Sequence, residues 1–222
     1  MTSRDNGLWL KFWRDQRTDF HQEAANSLLI RYWPEFNLIP ASRVFVPMCG
    51  KSLDMLWLAE QGHEVMGIEL SPVAIKAFFK ENNLYAHKSR AGKFILWQHD
   101  KISILCGDYF SLVQADLGNI DIVYDRAALT ALPADVRKRY AAHLQVIAPH
   151  TEQMFLLTAE DVEPLIELDT PELIDPEIFN LYADQFTIDV AHCEQRSISD
   201  PADLTSNPEI TEYKVYQLSS RH

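Results

Sequence analysis

The sequence predicts an α/β sandwich on a mostly parallel sheet with an antiparallel edge. Three observations point to it. Short apolar runs alternate with amphipathic helical segments from Arg43 onward. A glycine turn follows the first of these runs, in the place where α/β sheets receive ligands. The last apolar runs, "FTIDVAHC" and "EYKVYQL", alternate as antiparallel strands do. With 222 residues, 47% of them hydrophobic, the chain has enough apolar content for one substantial core, and a single domain over 1–222 is expected.

The elements follow in order. Residues 8–33 carry Leu8, Trp9, Phe12, Trp13, Phe20, Leu28, Leu29, Tyr32 and Trp33, partly at helical spacing. Pro34 should end that segment, because the residue before proline disfavours the helical region. Aromatic density of this kind serves either plain core packing or a helical flap, and a flap over residues 1–40 is expected. "VFV" at 44–46 reads as a buried strand, and a helix from about Ser52 to Gln61 is stopped by Gly62. "EVMGIEL" is the second strand. Ser71 then caps a helix with Pro72 in its first turn, where the missing N–H costs nothing, and the run continues to about Asn83. "KFILWQ" and "ISILCGD", separated by the polar "HDK", form a hairpin feeding the main sheet. "IDIVYD" at 120–125 is buried, Val136, Tyr140, Leu144 and Ile147 mark one face of a helix over 133–147, and "QMFLLT" is a fifth core strand.

Composition removes several classes of function. The formal charge of -12 argues against a grip on nucleic acid or an anionic membrane, both of which need surplus Lys and Arg. Cys49, Cys106 and Cys193 form no Cys-x-x-Cys pair, so neither a disulfide framework nor a cysteine zinc site is indicated. His143 and His150 are too far apart to share one helical turn, and no metal is expected. No apolar stretch approaches the roughly 20 residues of a bilayer span, and the polar start lacks a signal core. A cytoplasmic protein with a small-molecule partner is expected.

The stretch "RVFVPMCGKSLDMLWLAEQGHEVMGIEL" narrows the cofactor. Glu69 follows Gly50 by 19 positions, close to the spacing of an acid that accepts ribose hydroxyls; the alternative is an ordinary turn with a surface glutamate. "GKS" is present, but a triphosphate loop needs glycine where Phe45 stands. A pyrophosphate needs three glycines at fixed spacing, and one is available. A ribose without phosphate remains, which is the shape of S-adenosylmethionine. "CGDYF" at 106–110 places Asp108 and Tyr109 where they suit an adenine amino group and its face.

Trp9 and Trp13, "FHQE" at 20–23, the stretch quoted above, "CGDYF" and "YDRAAL" followed by "ALP" together resemble the bacterial thiopurine S-methyltransferases, over about residues 9–158. The resemblance implies a Rossmann-like class I methyltransferase fold that uses S-adenosylmethionine and releases S-adenosylhomocysteine. It also implies cofactor contacts from Trp13, Met48, Gly50, Glu69, Leu70, Asp108, Tyr109 and Arg126, with Arg126 at the methyl-transfer site. Phe20 and His21 would border the acceptor, and relatives suggest a monomer. Three departures stand out. Met48 replaces the usual leucine, a mild volume-conserving change. Asp19 replaces the glycine of many bacterial relatives, and "AEDVEPLIELDTPELIDPEIF" stands where relatives commonly carry Gly-Pro-Pro-Phe beside the acceptor pocket.

Methyl transfer from a sulfonium is a direct displacement, so alignment and exclusion of water are the main requirements. Arg126 is the expected cation beside an anionic sulfur, with Asp125 orienting it or helping to hold the cofactor; a surface ion pair is the alternative. His21 is either a base or a donor to a backbone carbonyl. Cys49 has no nucleophilic task in a displacement and is expected to pack. Three functions are open: methylation of an aromatic or heterocyclic thiol, methylation of selenium, tellurium or sulfide nucleophiles, and catalytically silent cofactor binding.

Overall fold

The computed structural model describes residues 3–18, 21–162, 175–198 and 209–221. Helices α1 (Ser3–Arg14) and α2 (Ser27–Tyr32) precede strand β1 (Arg43–Val46), α3 (Asp54–Glu60), β2 (Glu64–Glu69) and α4 (Pro72–Glu81). Strands β3 (His87–Ala91), β4 (Phe94–His99) and β5 (Ile102–Cys106) follow, then α5 (Gln114–Leu117), β6 (Ile122–Arg126) and α6 (Ala134–Ile147). The chain closes with β7 (Gln153–Val162), α7 (Pro176–Tyr182), β8 (Phe186–Ile198) and β9 (Glu209–Ser220).

The nine strands form one sheet in the order β3-β4-β5-β2-β1-β6-β7-β9-β8. From β5 to β7 every pairing is parallel, while β3 and β4 on one side and β9 and β8 on the other are antiparallel. The order reverses between β1 and β6, so the ends of β1, β2 and β6 converge at the switch point.

Period-two alternation sorts the strands into two faces. Val44, Val46, Ile122, Tyr124 and Phe155 pack with Met55, Leu58 and Phe78 on one side, whereas Phe45, Val123, Met154 and Leu156 pack with Tyr140, Leu144 and Tyr182 on the other. The two layers of helix are held by these separate apolar seams. Ser71 caps α4 as expected, its hydroxyl accepting from the Ala74 N–H at 3.3 Å.

Several expectations need correction. The α-helix does end at Tyr32, ahead of Pro34, but Trp33 keeps helical angles (φ -57°, ψ -40°) and the aromatic segment runs on past the proline. Pro34 occupies the first turn of a 3₁₀ helix over Trp33–Phe36, where no N–H is required of it. Trp33 and Phe36 lie against Phe155 at ring distances of 6.1 and 5.7 Å, and the Trp33 indole N–H donates to His63 at 3.1 Å. Residues 27–36 therefore belong to the core. Strand β3 was not expected, because "HKSRA" is polar and mostly exposed and its partner β4 alone carries the apolar residues. Residues 159–162, read as part of the altered acceptor stretch, continue β7 in register with β9, pairing Ala159 with Tyr213 and Glu160 with Glu212.

Gly107, where β5 meets the site, shows why the "CGDYF" glycine is needed. A Cβ there would lie 2.5 Å from Cδ1 of the buried Phe94 ring. Gly107→Ala is expected to lower stability by about 1–3 kcal/mol through forced repacking, measured by denaturant unfolding.

Candidate active site

The turn after β1 reverses the chain with two left-handed residues, Met48 (φ 47°) and Gly50 (φ 55°). Glycine adopts that conformation freely, and its bare Cα also admits the Trp13 ring: a Cβ on Gly50 would meet Trp13 Cζ2 at 3.1 Å. Left-handed Met48 is the strained member, held by its surroundings. Cys49, between them, is buried, and its N–H donates to Ile68 O at 3.0 Å. Burial also pushes the Cys49 thiol well above its usual range, so it stays a neutral packing group.

Glu69 is not a surface residue. At 6% exposure its carboxylate accepts from the Gly50 N–H at 2.9 Å and the Ser71 N–H at 2.6 Å, bracketing the turn and the start of α4. Burial raises its pKa to about 7 in spite of these donors. The native state then holds this proton more tightly than the unfolded chain, whose carboxyl titrates near 4.5. Stability of the unliganded protein should therefore fall as pH rises from about 4.5 to about 7, by on the order of 3 kcal/mol from this group. Unfolding curves across that window, compared with those of Glu69→Gln, measure the effect; the variant should show a flatter profile.

Over these turns lies a cavity of about 220 Å³ at the carboxyl ends of the parallel strands. Trp13, Met48, Gly50, Glu69 and Leu70 line one part of it. Asp108, Tyr109, His21 and Arg126 complete the expected set, and all nine residues meet around one space. Phe20 and Asp19 lie outside the described residues.

Two roles differ from expectation. The Tyr109 ring does not present a face to the cavity: it is 3% exposed, stacked on Tyr140 at 4.7 Å, with its hydroxyl donating to Tyr140 O at 3.1 Å. Asp108 caps its own turn, accepting from the Phe110 N–H at 3.0 Å, and its second oxygen accepts from the Asn6 side chain at 3.1 Å. Asn6 escaped the sequence reading. It shares a helical face with Trp9 and Trp13, at spacings of three and seven, and that periodicity was the available signal.

Arg126 owes its position to Asp54, which sequence reasoning also missed. The Arg126 Nε–H donates to Asp54 Oδ2 at 2.5 Å, and Nη2–H donates to Ser52 Oγ at 2.8 Å. The same carboxylate oxygen accepts from the Tyr124 hydroxyl at 2.9 Å, and Oδ1 accepts from the Asn26 backbone N–H at 2.8 Å. This is no surface ion pair, since the side chains are 19% and 1% exposed. Asp125, the expected partner, faces the opposite way. It is fully buried and accepts from the Tyr140 hydroxyl at 2.7 Å and the N–H groups of Ala128 and Leu129, because neighbours on a strand point to opposite faces. The Ala127 backbone that follows is left-handed (φ 58°), turning the chain at the cavity rim.

His21 stands beside two ion pairs, Lys51–Glu81 at 2.8 Å and Arg126–Asp54. Partial burial lowers its pKa, and Lys51 lowers it further. The expected bond from its ring to a backbone carbonyl is not formed among the described residues.

Comparison with known proteins adds the lineage. The sequence profile of thiopurine S-methyltransferase matches residues 4–221. The chain belongs to the thiopurine S-methyltransferase family. Membership therefore extends past the motif-rich part that ends near residue 158, into β-strands whose plain alternation carries no distinctive motif. A thiopurine S-methyltransferase of Stutzerimonas stutzeri is 55% identical over 221 residues, covering 100% of this chain and 93% of that protein. One of Bordetella petrii is 40% identical, covering 97% of this chain and 95% of that protein. Among solved structures, magnesium protoporphyrin IX methyltransferase of Synechocystis, with bound S-adenosylmethionine, superposes with a TM-score of 0.61 at 14% identity, covering 97% of each chain. The fold is that of the class I methyltransferases, and the protein is an S-adenosylmethionine-dependent methyltransferase.

Proposed function

We propose that the chain transfers the methyl group of S-adenosylmethionine to the thiol sulfur of an aromatic or heterocyclic small molecule of the thiopurine kind. One observation carries this reading: a guanidinium at the cavity, fixed by a buried carboxylate through Nε and by Ser52 through Nη2. A cation so placed favours the ionised form of a sulfur acceptor. The names of the curated relatives agree with it.

The residues present fit the methyl donor. Glu69 offers a buried carboxylate that ribose hydroxyls would stabilise in its charged form, and the bare Cα of Gly50 leaves room beside Trp13. Trp13, Met48, Leu70 and Asp108 complete the donor side. The bound cofactor supplies an electrophilic methyl on a positively charged sulfur. Trp9 and Trp13 on α1 line the cavity, where they would shield the sulfonium from water and offer it a cation–π neighbour. Arg126 holds the acceptor anion in place, and His21 borders it.

Titration with S-adenosylhomocysteine, followed by assays with 6-mercaptopurine and substituted thiophenols, tests the reading. Methylated thiol at catalytic turnover is expected. Binding without turnover on any thiol, or turnover only on selenide or sulfide seen as volatile methylated products, would overturn it. Calorimetry on Glu69→Gln should show at least tenfold weaker cofactor binding.

A further inference from the structure

We propose that His21 is a catalytic base that takes the proton of an acceptor arriving as a neutral thiol. The proposal rests on the thiol reading above and deepens it. His21 lines the same cavity as Arg126, on the segment that leads from α1 to the Asn26–Asp54 anchor. Its backbone is fixed by a turn, His21 N–H donating to Thr18 O at 2.8 Å, while its ring nitrogens make no hydrogen bond among the described residues. A base needs that free nitrogen, and it needs a histidine that is neutral before reaction.

The surroundings supply the second condition. The charged groups that face His21 are Lys51, Glu81, Arg126 and Asp54, two cations and two carboxylates already joined in pairs. Among the described residues no carboxylate is left over to demand an imidazolium, and burial disfavours it further.

Charge balance then assigns the step. A neutral thiol and a sulfonium together carry one positive charge. The sulfur lone pair forms the new S–CH₃ bond, the methyl–sulfonium bond breaks with its electron pair passing to the departing thioether, and the S–H proton moves to the free ring nitrogen of His21. One positive charge leaves the donor and one arrives on imidazole, so the water-poor cavity never changes its net charge. An acceptor already ionised has no proton to give, and its reaction annihilates charge without help from histidine. The need for His21 thus falls as the acceptor becomes more acidic.

The test is His21→Gln, which keeps a polar side chain but does not titrate near neutrality. Two acceptors are assayed at pH 7: 4-nitrothiophenol, which is ionised, and benzyl mercaptan, which is protonated. The loss in kcat/KM should be at least 100-fold greater for benzyl mercaptan than for 4-nitrothiophenol, and the benzyl mercaptan pH profile should lose its rise across the histidine range. Equal losses for both thiols, or none for either, would overturn the proposal and leave His21 as a contact residue. Absence of turnover by the unaltered enzyme on both thiols would instead remove the thiol reading, and the base with it.

Discussion

Arg126→Ala should lower turnover by about 10²–10³-fold while shifting S-adenosylhomocysteine affinity by no more than a few-fold. The size follows from what an oriented charge contributes in a water-poor site, where one donor removed costs two to three orders of magnitude. The asymmetry follows from the wiring. Arg126 bonds to Asp54 and to Ser52 at the far end of the turn, whereas the bonds that close the turn onto β2 and α4 run from the Gly50 and Ser71 N–H groups to Glu69. Steady-state kinetics with calorimetry on the same preparation separates the two. Unchanged turnover would remove the arginine from the chemistry, and a cofactor affinity that falls as far as turnover would place it on the donor.

Asp54→Ala should be the most destabilising single change at the site, by about 3–5 kcal/mol in denaturant unfolding. The carboxylate accepts three hydrogen bonds, and its removal leaves the Tyr124 hydroxyl and the Asn26 N–H without their acceptor and a largely buried guanidinium without its counter-ion. Asp54→Asn, which keeps an acceptor for some of these donors, should cost less than half as much. Comparison with Lys51→Ala calibrates the figure. Glu81, the partner of Lys51, is 51% exposed, and breaking that pair should cost under about 1 kcal/mol. If both alanine variants lose the same small amount, Asp54 does not hold the site together.

The donor half was readable because its signals are local. Ser-Pro opening a helix acts within three residues, and a glycine after one strand and an acid at the end of the next are joined across a fixed spacing of 19 positions that the sequence displays directly. The acceptor half depends on contacts that no local pattern announces. Asp54 reads as an acid in the first turn of a helix, a common dipole partner, yet its bond to Arg126 spans 72 positions. Adjacency in sequence suggests Asp125 as a neighbour that orients Arg126 or helps to hold the cofactor, and alternation along the strand sends it into the opposite layer. Tyr109 was misread for a related reason: an aromatic beside a binding turn can as well face the core, and here Tyr140 claims its ring. Strand β3 had no apolar face to betray it, and its place is set by β4.

The back-to-back placement of Asp125 and Arg126 has a genetic corollary. One peptide unit divides a group that faces the core from one that faces the cavity, so a single-codon insertion or deletion within β6 would exchange their destinations. The carboxylate would be thrust toward the cavity and the guanidinium into a tyrosine-lined interior. The register of this one strand is therefore constrained from both of its faces, and length variation in descendants of this gene should fall in the connections around it.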